Sequence, residues 1–158
     1  MAAYEVIAHT EVGSGGTASV TFSSISAGYE TLRLVGKVRG EGGDTTQGHL
    51  IRFNSDSGTN YPTQQLESST GTPVATSAIA DTFTPFDCWL PGYSSTSFFK
   101  PFVMIAGKII STTIGDNRTY MIGGNWLDTA AIHTVLVQPT AGDLAEYSTL
   151  TLYGINGA

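Results

Sequence analysis

The residues best able to bind a metal or transfer a proton are three histidines, His9, His49 and His133, and they lie far apart in the sequence. None has a cysteine or a carboxylate at the spacing of a metal-binding motif. No serine lies in a G-x-S-x-G elbow, although the members of a catalytic triad need only meet in space. The sequence therefore predicts no catalytic residue, no metal site and no cofactor.

One short segment gathers oxygen donors of the kind that bind calcium. Asn54, Asp56, Ser57 and Thr59 lie close together, and hard cations prefer such donors on a flexible loop. The segment has a single carboxylate and lacks the distal glutamate of a helix-loop-helix site. We therefore expect a turn stabilised by its Asn and Asp side chains rather than a cation site.

Aromatic side chains in predicted loops are the remaining candidates for function. Tyrosine and tryptophan stack on sugars or anchor protein interfaces, because each joins a large apolar ring to a polar group. Tyr61, Trp89 and Tyr93 are the candidate interface residues. Filling the end of a core is an equally good interpretation of Trp89 and Tyr93, and it is the preferred one for Trp126.

The composition indicates a protein with an unusually small share of charge. Charged residues make up 13% of the 158 residues, about half the usual share, whereas the hydrophobic share of 41% is ordinary. A surface poor in charge suits a protein that is packed against neighbours. The alternative explanation is that β-proteins carry threonine on their open faces.

Net charge and sequence motifs exclude several classes of partner. The net charge of −6 and the lack of a basic stripe argue against nucleic acid. The single cysteine, Cys88, is predicted to be a buried thiol. No secretory signal precedes Glu5, so we expect the chain to fold in a cytoplasm. We therefore expect that Asn117, which matches the glycosylation pattern, is not glycosylated. The most apolar run, residues 102–110, is too short to cross a membrane.

Alternation of apolar and polar residues predicts strands that bury one face. In the first strand the predicted buried face is Tyr4, Val6, Ala8 and Val12, with Ile7 out of phase. In the next two strands the predicted buried residues are Ala18, Val20, Phe22, Leu32, Leu34 and Val38, and the predicted outward cations are Arg33, Lys37 and Arg39.

The remaining segments complete a prediction of about eight strands. Further strands are predicted at 49–54, 99–110, 119–126, 132–138 and 148–155, with a hairpin turn at 115–117 and one helical turn at 128–130. Residues 86–97 read as an ordered loop, and 64–85 contain at most a short strand or turn at 75–80. Residues 1–158 are predicted to form a single all-β domain, an antiparallel, jelly-roll-like sandwich, with partner contacts in the loops at 40–48 and 64–97.

Segments at both ends of the chain resemble a group of tailed-bacteriophage virion proteins. The amino-terminal segments are Val20-Thr21-Phe22-Ser23-Ser24-Ile25, Leu32-Arg33-Leu34 and the run from Ile51 to Tyr61, IRFNSDSGTNY. The carboxy-terminal ones are the run from Trp126 to Ile132, WLDTAAI, then Tyr147-Ser148 and Leu150-Thr151-Leu152-Tyr153-Gly154-Ile155. These motifs are structural, and residues 64–97 lie outside the resemblance.

The resemblance implies a non-enzymatic structural protein of the virion, assembled in the host bacterial cytoplasm. The first expectation is a capsid decoration, or cement, protein that binds the major capsid protein or other virion proteins, as a homo-oligomer and preferably a trimer. The alternative is a tail-fibre or receptor-binding module that recognises host glycans through Tyr61, Trp89 and Tyr93. A polysaccharide hydrolase ranks last, because no paired carboxylates stand out.

Overall fold

The computed structural model describes residues 3–42, 48–65, 82–108 and 118–157, and every regular element in these ranges is a β-strand. The strands are β1 (Ala3–Glu11), β2 (Val20–Phe22), β3 (Thr31–Val38), β4 (His49–Phe53), β5 (Thr63–Gln65), β6 (Thr84–Pro91), β7 (Lys100–Lys108), β8 (Arg118–Trp126), β9 (Val135–Pro139) and β10 (Thr149–Asn156). They form two antiparallel sheets, which confirms the all-β sandwich, with ten strands instead of about eight. The described residues include no helix able to cross a membrane.

The order of the strands follows the pattern of a jelly roll. The large sheet has the order β1-β10-β3-β6-β7-β8-β5, and the small sheet has the order β2-β9-β4. From β1 to β4, and again from β9 to β10, consecutive strands alternate between the sheets, as they do in a jelly roll. The pair β7–β8 widens the large sheet beyond β6, so that this sheet has seven strands and the small one has three.

The two sheets enclose a hydrophobic core to which both contribute. In β3 and β6 every second residue is buried, because successive side chains of a strand point to opposite faces. The predicted inward positions in β2 and β3 are confirmed, since Val20, Phe22, Leu32, Leu34 and Val38 are all buried. Arg33 and Lys37 point away from the core, as predicted.

The first strand is confirmed, and its predicted buried face is right at Ala8 and Val12 but wrong at Tyr4 and Val6. Tyr4 and Val6 are 53% and 58% exposed, and their neighbours on β10 are Ile155 and Tyr153. The pairing register shifts between Val6 and Ala8, which marks a β-bulge. The extra residue allows Ile7 and Ala8 to pack against the core together, and it leaves Tyr4 and Val6 on the other side of the sheet.

The segment predicted as a loop at 86–97 is a strand over its first half. β6 lies in the interior of the large sheet and pairs with β3 and β7. Its inward residues are Thr84, Phe86, Cys88 and Leu90, so Trp89 is a strand residue that faces outward and not a loop residue.

Other predicted elements are corrected or lie outside the described ranges. Ala18 is exposed and precedes β2, and β5 has no counterpart among the predicted strands. No helical turn forms at 128–130, where the carboxylate of Asp128 accepts a hydrogen bond from the backbone N–H of Ala130 at 2.8 Å. The elements predicted at 75–80 and 115–117, together with Asn117 and most of the loop at 40–48, lie outside the described residues.

Candidate functional site

The side of the large sheet that faces away from the small sheet carries a patch of apolar side chains around one ion pair, and we call this patch the outer face. The register aligns Val6, Tyr153, Arg33, Trp89 and Val103 across five adjacent strands. The adjacent row contains His9, Thr151, Val35, Asp87, Ile105 and Met121, so polar residues border the apolar ones on this side. The outer face is defined by the following residues: Tyr4, Val6, Tyr153, Ile155, Arg33, Val35, Asp87, Trp89, Val103, Ile105, Met121 and Gly123.

The outer face exposes large apolar side chains to solvent. Tyr4, Val6, Ile105 and Met121 are each about half exposed, at 53%, 58%, 51% and 49%. An antiparallel sheet with one solvated face normally places polar residues there. Contiguous exposed apolar surface on a folded chain marks a site that binds a protein, a membrane or a ligand. The outer face is therefore the candidate functional site.

The charges at the centre of the outer face are paired with each other. Arg33 donates two hydrogen bonds to the carboxylate of Asp87, from Nε to Oδ1 at 2.9 Å and from Nη2 to Oδ2 at 2.6 Å. The guanidinium also lies 4.8 Å from the ring centre of Trp89 and 5.9 Å from that of Tyr4. The hydrogen bonds that Arg33 donates to Asp87 raise the pKa of Arg33. The cation is thus held in place and neutralised within the face.

The outer face has no side chain at Gly123 on β8, and we call this position the notch. Gly123 pairs with Val103, and a Cβ atom added to it would meet no heavy atom within 4 Å. The neighbouring Gly124 differs, because a Cβ there would lie 2.6 Å from the ring of Phe102. A side chain from another molecule therefore has room above Gly123, and a larger residue at this position would project from the face without disturbing the core.

The three candidate interface residues lie in different surroundings. Trp89 belongs to the outer face. Tyr61 is half-buried on the opposite side of the large sheet, where its hydroxyl accepts a hydrogen bond from the N–H of Phe53 at 3.0 Å and donates to the carbonyl of Asp56 at 3.1 Å. Tyr61 thus holds a turn against β4 by internal bonds.

Tyr93 is a core residue, which corrects its prediction as an interface residue. Its side chain is 0% exposed, and its hydroxyl donates to the carbonyl of Ser26 and accepts from the N–H of Tyr29 at 3.3 Å. A side chain without accessible surface cannot touch a partner, so core filling is the correct interpretation of Tyr93. Trp126 is likewise buried, as preferred.

A cavity of about 350 Å³ lies between the sheets beside Tyr61. Phe53, Phe102, Met104 and Cys88 are among the described residues that line it. Cys88 is buried as predicted, and burial raises the pKa of its thiol to about 12. The thiol is therefore protonated at neutral pH, and only a thiolate is an effective nucleophile.

The histidines are not gathered at one place. His9 on β1 lies 2.7 Å from the hydroxyl of Thr151, and His133 is exposed between β8 and β9. His49 is buried, and neither of its ring nitrogens has a hydrogen-bond partner. Burial lowers the pKa of His49 to about 4. In the described part of the chain, no group of three or more His, Cys, Asp or Glu residues could hold a metal ion.

The segment with calcium-like donors is a turn organised by Asp56. Its carboxylate accepts hydrogen bonds from the indole of Trp126 at 2.7 Å, the amide of Asn60 at 3.0 Å and the backbone of Gly58 at 2.8 Å. These hydrogen bonds lower the pKa of Asp56, and the bond from Trp126 has the largest effect. The carboxylate therefore joins the turn to β8 through hydrogen bonds. This agrees with the predicted turn stabilised by Asn and Asp side chains.

Sequence reasoning missed four exposed residues of the outer face, namely Tyr4, Val6, Ile105 and Met121. One feature of the sequence does indicate part of the outer face. The run from Phe102 to Ala106 is apolar throughout, and continuous apolar runs are typical of strands that are covered on both faces. Such a run on β7 predicts a second covering surface in addition to the core.

Comparisons of the chain with models of known families, with curated proteins and with solved structures give no match. The functional argument therefore depends on the residues and on their geometry.

Proposed function

We propose that the chain is a non-enzymatic structural protein of a bacteriophage particle, most specifically a decoration protein that binds and stabilises the capsid. The observation that carries this proposal is the outer face, a sheet surface that exposes large apolar side chains and pairs its central charges with each other. The resemblance of both ends of the sequence to phage virion proteins supports the same assignment.

The outer face has the composition of a protein interface. Burying apolar surface contributes roughly 25 cal/mol per Å² removed from water. Trp, Tyr and Arg are the residue types most often found at energetic centres of interfaces, and Trp89, Tyr4 and Arg33 are in contact on this face. Because Asp87 already compensates Arg33, covering the face leaves no unpaired charge at this point.

A decoration protein works by adding interface area between neighbouring shell subunits. The added contacts are formed only in the assembled shell, so they stabilise it by mass action. The partners in this proposal are the major capsid protein or other virion proteins, and the location is the virion. The resemblance further implies symmetric copies of the chain.

Cryo-EM of purified particles tests the proposal, combined with binding of the purified protein to undecorated shells. Density for the chain at regular positions on the shell is expected. Gly123→Arg places a long cation above the notch in the outer face, and we expect it to weaken shell binding by more than about tenfold, as loss of a central contact does. Gly13→Arg is the matched control, because a Cβ at Gly13 also meets nothing within 4 Å.

Two results would overturn this assignment. One is particles that contain the chain only at the tail tip or lack it altogether. The other is a purified protein that fails to bind shells at any concentration.

Glycan recognition by a tail-fibre module is the second candidate, and Trp89 is the residue that supports it. The indole is partly exposed, but the guanidinium of Arg33 lies on its ring at 4.8 Å. A sugar would have to stack beside an ion pair on a flat sheet. A glycan array separates the candidates, because binding that is abolished by Trp89→Ala supports recognition of sugars, whereas a blank array counts against it.

A further inference from the structure

We propose that the outer face pairs with the outer face of a second copy of this chain, sheet against sheet, in a two-fold dimer. This inference rests on the proposed function only in treating the outer face as a protein interface. It names a second copy as the occupant of the outer face, so the dimer binds the shell through its other surfaces, and a variant that loses pairing binds the shell more weakly because it offers one binding surface instead of two.

The side of the large sheet that carries the outer face is large enough for a stable dimer interface. Six strands with described outward side chains, from β1 to β8, lie side by side. At about 4.8 Å between strands and about 3.3 Å per residue over roughly seven residues, this side measures about 29 by 23 Å, or about 670 Å² in projection. The outer face is its apolar centre, and His9, Thr151 and Lys37 lie around it. Standard interfaces bury about 800 Å² of accessible surface per partner, with an apolar centre and a polar rim, and protruding side chains bring this side of the sheet to that class.

The charge pattern of the outer face suits an identical partner. Two copies of a face that carried one sign of charge would repel each other, but the pairing of Arg33 with Asp87 leaves this face neutral at its centre. A shell protein that recognised the face by charge would need a free cation or anion there. A second copy needs none, because it offers the same neutral and apolar surface in return.

The shape of the outer face also fits sheet-on-sheet packing. Two sheets pack about 10 Å apart with their side chains interdigitated. The notch at Gly123 leaves one position without a side chain, and the half-exposed side chains of Met121 and Ile105 lie near it. An isologous interface requires both features on one surface, because each copy must both insert and receive.

Sedimentation equilibrium combined with light scattering tests the pairing on the full chain. The wild type is expected at about twice the chain mass of 16.6 kDa. Gly123→Arg is expected to sediment as a monomer with unchanged circular dichroism, and Gly13→Arg is expected to remain a dimer. A second face variant, Ile105→Lys, tests the same contact from β7 and is expected to weaken pairing by more than about tenfold.

Three outcomes overturn the pairing. They are a wild type that is monomeric at every concentration, a dimer that both face variants leave intact, and the trimer implied by the resemblance, since face-to-face pairing is two-fold. Shell binding distinguishes this failure from that of the proposed function. A monomer that binds shells through the outer face refutes only the pairing. A dimer that does not bind shells refutes only the decoration role.

Discussion

Arg33 and Asp87 show how two side chains allow a sheet to carry charge on a surface that is to be covered. Removing an ion pair from water is costly unless its geometry is good and its hydrogen bonds are satisfied. Here the pair is bidentate, and two aromatic rings pack against the guanidinium. Because β3 and β6 are adjacent, the pair is preformed before any partner arrives, and binding does not have to order it.

His49 makes the stability of the fold depend on pH. Its pKa is lowered from 6.5 to about 4, because burial disfavours the charged ring. Between these values the unfolded chain binds a proton that the folded chain does not, so stability rises with pH. We expect the free energy of unfolding to fall by about 3 kcal/mol as the pH is lowered from about 6.5 to about 4.

Urea unfolding at a series of pH values measures this dependence. His49→Leu replaces the ring by an apolar side chain that does not titrate, and it is expected to flatten the profile in this window. His133→Gln removes an exposed histidine and serves as the control, with a profile like that of the wild type. An unchanged slope in His49→Leu would show that another group is responsible.

At the scale of elements, the pair β7–β8 broadens the outer face of the large sheet. Without these strands the large sheet would end at β6, and Val103, Ile105 and Met121 would be missing from the surface. The same strands contribute inward side chains to the core, including Met104 and Ile122. The β7–β8 pair therefore contributes side chains both to the core and to the outer face.

Two glycines in the large sheet are expected to respond oppositely to substitution by alanine. A Cβ at Gly36, on the inward side of β3, would lie 2.6 Å from the ring of Phe86, so Gly36→Ala is expected to destabilise the fold by about 1–3 kcal/mol. Gly123 faces outward into open space, and Gly123→Ala is expected to stabilise the fold by up to about 1 kcal/mol.

Chemical denaturation of both variants measures this difference. Equal destabilisation by the two substitutions would contradict the assignment of inner and outer faces in this sheet.

The sequence predicts strands from alternation, as in β3, and from a continuous apolar run, as in β7, and it fails where turn formers are present. β3 is recognisable because Arg33 and Lys37 alternate with leucines and valine. β6 is hidden by Pro85, Asp87 and Pro91, although its inward residues alternate.

The outer face itself could not be predicted from local patterns. Val6 and Met121 belong to the same surface only through a pairing register that spans the large sheet. The β-bulge in β1, which turns Tyr4 and Val6 outward, likewise depends on pairing with β10. Alternation reports which residues share a face of one strand, and long-range pairing decides what the assembled face contains.

For the whole molecule, the balance between the net charge and the neutral outer face predicts how pairing depends on salt. Each chain carries a net charge of −6, so two copies repel each other through their remaining surfaces. Added salt screens this repulsion over a Debye length of about 10 Å at 0.1 M, and it leaves apolar contacts intact. We expect the dissociation constant of the dimer to fall about two- to fivefold between about 0.05 and about 0.5 M NaCl, measured by sedimentation velocity.

The opposite dependence would identify a different interface. Pairing that weakens with salt requires cations of one copy to meet anions of the other. The central cation of the outer face, Arg33, is already bound to Asp87 of its own chain. Because Arg33 and Asp87 are already paired within each copy, affinity that rises with salt and is lost in Gly123→Arg assigns the pairing to this face and to no charged surface of the molecule.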